Sequence, residues 1–144
     1  MLGKYKYVKP DNISPKGLKY DMTELDLGAL IKEIKKNDVD AVYLFGSHAT
    51  GKAKPSSDID ICVITKRDVA REVKEKILSN SSKKIDIVMF RDLPSPIRFR
   101  VFKEGKPLYI KDPLTLQRVK ADTLRSYLDI QPMIKRHISR TLGG

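Results

Sequence analysis

The feature that most constrains this chain is a pair of aspartates set into an otherwise apolar run, Asp58-Ile59-Asp60-Ile61-Cys62-Val63-Ile64. Side chains alternate between the two faces of a strand, so Asp58 and Asp60 share one face. Ile59, Ile61 and Val63 then point the other way, into a core. Two strand steps of about 3.3 Å place the carboxylate stems roughly 6–7 Å apart. Carboxylates so placed repel each other and lose hydration unless a cation sits between them. Hard oxygen donors in this arrangement suit Mg²⁺, which binds a few carboxylates together with substrate phosphates.

A second apolar run, Val39 to Phe45, precedes the first and ends in Gly46-Ser47. It reads as a strand covered on both faces. A glycine after a strand lets the backbone approach a phosphate closely. The N–H groups that follow, with the Ser47 hydroxyl, can donate to phosphate oxygens. One face would thus hold metal while the adjacent turn holds triphosphate. The polar stretch from Gly46 to Ser57 reads as a loop, with Lys52 and Lys54 solvated within it. His48 reads as a loop residue too. The only other histidine, His137, is far along the chain, which argues against a histidine metal site.

The rest of the chain supplies a frame. Residues 1–21, punctuated by Pro10, Asn12, Pro15 and Gly17, read as an extended N-terminal arm. Thr23 suits a helix cap, and Leu27, Leu30, Ile31 and Ile34 follow a helical period to about Asn37. After the Asp58–Thr65 strand, Val69, Val73 and Ile77 predict a helix ended by Ser79-Asn80-Ser81-Ser82. Lys84 to Phe90 predicts a third strand carrying Asp86. Ser95 as cap and Pro96 behind it open a short helix with an Ile97, Val101 and Phe102 face, stopped at Gly105. Pro107 to Ile110 suits an edge strand. Asp112-Pro113 starts the last helix, whose apolar side is Leu116, Val119, Leu124, Tyr127 and Leu128; Pro132 is expected to kink or end it. Three segments result: the arm (1–21), a domain over 22–112, and a C-terminal helical segment (113–144). That last segment either folds back on the domain or meets a partner.

At 144 residues the chain suffices for one domain. Its single cysteine excludes a disulfide framework and fits a reducing compartment. No apolar run approaches a membrane span and the first residues lack a hydrophobic signal core, so the expected location is cytoplasmic, away from any membrane. The formal net charge is +11. Lys and Arg nearly balance Asp and Glu over residues 22–90, so the surplus lies outside the aspartate-bearing half. A basic rim attracts nucleoside triphosphate, nucleic acid or an acidic partner protein, and an ordinary solvated surface accounts for it equally well.

Gly46-Ser47, ten residues, then Asp58-x-Asp60 resembles the polymerase-beta-like nucleotidyltransferases. Their pattern includes a third carboxylate on a later strand, the place taken by Asp86. The short length, with Gly46-Ser47-x-x-x-Gly51 and Ser57-Asp58-x-Asp60, looks most like the minimal nucleotidyltransferases (MNT), antitoxin partners of HEPN toxins. The resemblance covers roughly Val39 to Asp112. It implies an α/β (α+β) nucleotidyltransferase fold, a small mixed β-sheet flanked by helices, with a C-terminal helix. It implies Asp58, Asp60 and Asp86 as catalytic metal ligands for two Mg²⁺ ions, and Gly46 and Ser47 as the seat of the β,γ-phosphates of ATP. It further implies transfer of AMP to a tyrosine of a cognate HEPN ribonuclease toxin, which silences the toxin. Two other readings share these residues: an antitoxin that masks its toxin by binding alone, and a nucleotidyltransferase of a small molecule or RNA. The extra domains with which larger members grip nucleic acid have no room in this chain, so nucleic acid is the less favoured partner.

Overall fold

A computed structural model describes residues 24–54 and 57–143. The predicted N-terminal arm and the Thr23 cap lie outside the described residues. The chain runs through α1 (Glu24–Ile34), a 3₁₀ turn at Lys35–Asn37, β1 (Ala41–Phe45), α2 (Ser47–Thr50), β2 (Ile59–Ile64) and α3 (Arg71–Leu78). It continues through β3 (Ile85–Met89), a 3₁₀ turn at Phe90–Asp92, α4 (Ser95–Glu104), β4 (Lys106–Ile110) and α5 (Pro113–Gly143).

The four strands form one mixed sheet in the order β3-β2-β1-β4. β1 is antiparallel to both β2 and β4, and β2 is parallel to β3. A parallel pair needs a long crossover, which α3 supplies. The sheet is buried on both sides, as the unbroken apolar strands predict. On one face Val42, Leu44, Ile59, Ile61, Val63, Ile85 and Ile87 pack with Leu27, Ile31 and Ile34 of α1 and Ile77 of α3. On the other, Ala41, Tyr43, Cys62 and Ile64 pack with Phe90, Val101 of α4, and Leu116 and Val119 of α5. Phe102 closes this second layer, edge-on to Tyr43 at 5.4 Å and tilted against Phe90 at 5.3 Å.

The helix boundaries refine the sequence reading at several points. α3 begins at Arg71, so Val69 precedes it. α4 is capped by Pro94, whose extended backbone (φ −70°, ψ 158°) presents its carbonyl to the N–H groups of Ile97 and Arg98. Ser95 therefore sits inside the first turn rather than capping it. β4 is the edge strand expected around Pro107, with a bulge opposite Val42 and Tyr43. Asp112 caps α5 as expected, accepting from the Leu114 and Thr115 N–H groups and from the Thr115 hydroxyl. The helix then runs on through Pro132 instead of ending there. Stacking of Phe99 on Tyr127, with centroids 4.2 Å apart, ties α4 to α5. Leu124 and Leu128, expected on the packed side, are exposed. Thr123 is buried and Tyr127 packs on Phe99, so the packed face of α5 continues past this point and Leu124 and Leu128 lie to one side of it.

Gly105 ends α4 where the chain turns into β4. A Cβ there would collide with the Val101 carbonyl oxygen and lie 2.9 Å from that of Leu44. Both obstacles are backbone and cannot rotate away. Gly105→Ala should therefore destabilise the fold by roughly 1–3 kcal/mol, read as a lower denaturant midpoint at unchanged m-value.

Candidate active site

Two of the three aspartates are brought together by strand register. Asp60 is the second residue of β2 and Asp86 the second of β3, and the two are direct partners across the parallel ladder. Partners in register share a face. Theirs is the face that carries Cys62, Ile64 and Val88. Asp86 is exposed and Asp60 half-buried. Asp58 lies one residue ahead of β2, outside the ladder, so the strand is shorter than the predicted Asp58–Thr65. The peptide that follows Asp58 is still pinned, because the Ile59 N–H donates to the Lys84 carbonyl at 2.8 Å.

On its other side Asp60 pairs with Phe45, the last residue of β1. The next residue, Gly46, takes φ 79° and ψ −154°, a conformation open essentially to glycine alone. A Cβ on Gly46 would collide with Asp60 Oδ2 and stand 3.2 Å from its Cγ. Two independent constraints, backbone angle and the adjacent carboxylate, therefore require glycine here.

The stretch after Gly46 is not the loop expected from sequence. The Gly46 carbonyl accepts from the Ala49 and Thr50 N–H groups at 3.1 and 3.2 Å, which winds Ser47–Thr50 into one helical turn, α2. Gly51, at φ 77°, ends it. Ser47 heads the turn, where N–H groups have no partner within the helix itself. Lys52 and Lys54 are exposed, as expected.

His48 is the residue the sequence reading missed. It is buried at 6% exposure rather than displayed on a loop. Its Nε2 lies 3.2 Å from the Ser57 carbonyl, and the tautomer carrying the proton on Nε2 donates there. His48 thus clips α2 to the residue before Asp58. The available signal was the bracket of Gly46 and Gly51, which spans one helical turn and turns His48 inward beside Ala49.

The electrostatics concentrate on Asp60. Its carboxyl is pushed above the usual range, first by burial, then by the negative charges of Asp86 and Asp58; His48 pulls in the opposite direction. The three aspartates therefore interact as one anionic group. Beneath them Cys62 is unreactive, its buried thiol pushed up to about 12.

The polymerase beta nucleotidyltransferase family matches residues 29–114, a stretch that contains all of these residues. The chain belongs to that family. It is 32% identical over 94 residues to the protein adenylyltransferase MntA of Shewanella oneidensis, which covers 61% of this chain and 68% of MntA. Its fold is similar to that of a toxin–antitoxin complex crystallised with AMP-PNP, at a TM-score of 0.63 and 24% identity, over 80% of this chain and 97% of that one. It is similar as well to the complex of tri-AMPylated Shewanella oneidensis HEPN toxin with MNT antitoxin (TM-score 0.58, 22% identity, 83% and 98% covered). At these identities the likeness is one of fold. The mixed sheet, flanking helices and C-terminal helix expected from the sequence are thus the fold found.

Membership in an adenylyltransferase-containing family implies ATP as substrate and a divalent metal ion. Among the described residues, no three His, Cys, Asp or Glu side chains converge closely enough to hold a metal by themselves. The donor set still fits Mg²⁺, which keeps several waters and binds through one or two carboxylates plus substrate phosphates. Burial raises Asp60 first, and the repulsion from Asp86 and Asp58 that adds to it is what a cation would relieve.

Two predictions follow from this geometry. Because burial and neighbouring charge raise the Asp60 carboxyl in the folded state, the fold binds the proton more tightly than the unfolded chain. Stability then falls as pH rises through that range, and the loss is complete above the raised value. Asp60→Asn should therefore raise Tm by a few degrees at neutral pH, with the gain vanishing in acid. Gly46→Ala should displace Asp60 and lower turnover on the order of 100-fold, read as AMP transfer per enzyme at saturating ATP.

Proposed function

We propose that this chain transfers AMP from ATP to a tyrosine hydroxyl on a HEPN ribonuclease toxin and so acts as its antitoxin. The observation that carries the proposal is the register pairing of Asp60 with Asp86 beside a Gly46 that tolerates no side chain. In this reading Asp58, Asp60 and Asp86 hold two Mg²⁺ ions. When bound, such ions neutralise phosphoryl charge and stabilise the attacking and leaving oxygens. Gly46 lets the chain pass close to the β,γ-phosphates, and the Ser47 N–H and hydroxyl donate to their oxygens. Asp86, the most open of the strand-borne carboxylates, takes the proton from the attacking hydroxyl. The tyrosine oxygen bonds to the α-phosphorus, the bond to the bridging oxygen breaks, and pyrophosphate leaves with the electron pair. His48, holding Ser57, keeps Asp58 in place during this exchange.

Support for the acceptor comes from likeness. The relative MntA is a protein adenylyltransferase, and a similar fold occurs in the complex of an MNT antitoxin with an AMPylated HEPN toxin. The surface of this chain is consistent with a protein partner. Leu124 and Leu128, one turn apart on α5, are 46% and 53% exposed. Spaced four residues apart, they share one face of the helix and form a small apolar surface for a protein partner to cover. Among the described residues no helix is long and apolar enough to cross a membrane. An ATP-dependent reaction beside an unpaired buried cysteine suits the cytoplasm.

The reading is tested by the intact mass of the toxin after incubation with this protein, ATP and Mg²⁺. A gain of one or more AMP units, absent with Asp58→Ala/Asp60→Ala, is the expected result. A stable complex without mass gain would replace transfer by masking through binding alone. Absence of both would redirect the search to small acceptors and RNA.

A further inference from the structure

The opposite end of the sheet carries a second charged site that nucleotidyl transfer does not use. β2 and β3 run in parallel, so their first residues bring the aspartates to one end and their last residues lead to the other, roughly 13–17 Å away. There a cavity of about 370 Å³ opens between the start of α4 and the middle of α5. Three guanidinium groups line it: Arg67 after β2, Arg91 after β3, and Arg98 on α4. One carboxylate, Asp122, faces them, and it is shared between Arg67 at 3.7 Å and Arg125 at 3.0 Å. The remaining lining is hydroxyl-bearing, including Ser95.

Two of these arginines are held in place by the backbone. Arg91 Nε donates to the Thr65 carbonyl at 2.9 Å. Arg98 donates through Nε to the Phe90 carbonyl and through a terminal nitrogen to the Arg91 carbonyl, at 3.2 and 2.7 Å. Among the described residues no hydrogen bond takes the terminal nitrogens of Arg91. Burial holds the Arg91 guanidinium below its usual range, and the positive charges of Arg67 and Arg98 lower it further, against the opposing pull of Asp40 and Asp122. The side-chain oxygen of Ser95 is buried with no hydrogen-bond partner. Crowded like charges are costly, and an anion seated among them relieves that cost.

We propose that this cavity binds a condensed phosphate, either free or as the phosphate chain of a nucleotide. Guanidinium groups bind phosphate oxygens through paired, charge-assisted hydrogen bonds. At about 30 Å³ per water the cavity has room for roughly a dozen waters, several times what one tetrahedral anion fills. Its lining has no aromatic or aliphatic side chain on which a base could stack. Recognition therefore lies in the chain of phosphates. The backbone anchors on Arg91 and Arg98 fix their guanidinium groups before the ligand arrives, which lowers the ordering cost of binding.

The site is tested on the full chain with chelator present, by titrating tripolyphosphate with calorimetric and backbone-amide NMR readouts. Binding should shift amides around Arg91 and Ser95–Arg98 and should be unchanged in Asp58→Ala/Asp60→Ala, which separates it from the aspartate site. Arg67→Ala, at an exposed position, should weaken binding about tenfold, the loss of one charge-assisted contact. Asp122→Asn should strengthen it severalfold by removing the competing carboxylate; a purely structural role for the cluster would not give these opposite signs. Equal affinity for ATP and tripolyphosphate would identify the free condensed phosphate as sufficient, and tighter ATP binding with the same shifted amides would identify a nucleotide as the source. Shifts confined to Gly46–Thr50, or indistinguishable affinities for wild type, Arg67→Ala and Asp122→Asn, would overturn the proposal.

Discussion

The approach of the Gly46 backbone to the Asp60 carboxylate is the constraint on which the rest of the site depends. Phe45 and Asp60 are paired across β1 and β2, so the residue after Phe45 must leave the sheet directly beside a carboxylate. No side chain fits between them. The chain departs through a backbone conformation reserved for glycine and turns at once into α2. The Gly46 turn and the Asp60 carboxylate are thereby held side by side by the core of the sheet. Leu44 and Ile61, both fully buried, lock that pairing from the opposite face.

Strand direction does the remaining positioning. Because β2 and β3 are parallel and in register, Asp60 and Asp86 stand at the same level of the sheet. An antiparallel β3 would place the second residue of that strand at the far end. The α3 crossover is therefore part of the site although none of its residues reaches it. The same topology explains why the opposite end is basic. Both chains leave the sheet there, and the segments that follow carry Arg67 and Arg91 towards Arg98 on α4. The aspartate cluster and the arginine cluster thus stand at opposite ends of two strands, with Asp40 and Asp122 also present at the arginine end.

Much of this was legible because the relevant signals are local. Alternation placed Asp60 opposite Ile59 and Ile61, and the two buried clusters divide β2 in that way. Asp112-Pro113 announced α5 because a cap acts within three residues. What escaped depends on distant contacts. The turn of α2 forms because Gly46 offers its carbonyl while Ala49 and His48 are drawn into the core; Ala49 is the one strong helix former in Ser47–Thr50, and a single turn is too short for propensity to show. Ser95 looked like a cap, yet Pro94 already has the required extended backbone. Leu124 and Leu128 lie about 80–120° around the helix from Leu116, off the buried line of Leu116, Val119 and Thr123, and grouping apolar residues without their angular positions put them on the wrong face. The arginine cavity has no linear motif; its three guanidinium groups come from three separate segments.

The chemistry available to the protein itself narrows the route of transfer. On the face of the sheet that carries Asp60, burial pushes the Cys62 thiol and the Tyr43 hydroxyl up to about 12. Neither can present a nucleophilic anion near neutral pH, and neither can be exposed without opening the second core layer, where Tyr43 is held by Phe102. His48, beside Asp60, is committed to the Ser57 carbonyl through Nε2. The aspartates, in turn, repel one another and gain most from sharing cations. An arrangement rich in groups that hold charge and poor in groups that attack suits direct displacement at phosphorus, with the acceptor supplying the nucleophile and the protein supplying position.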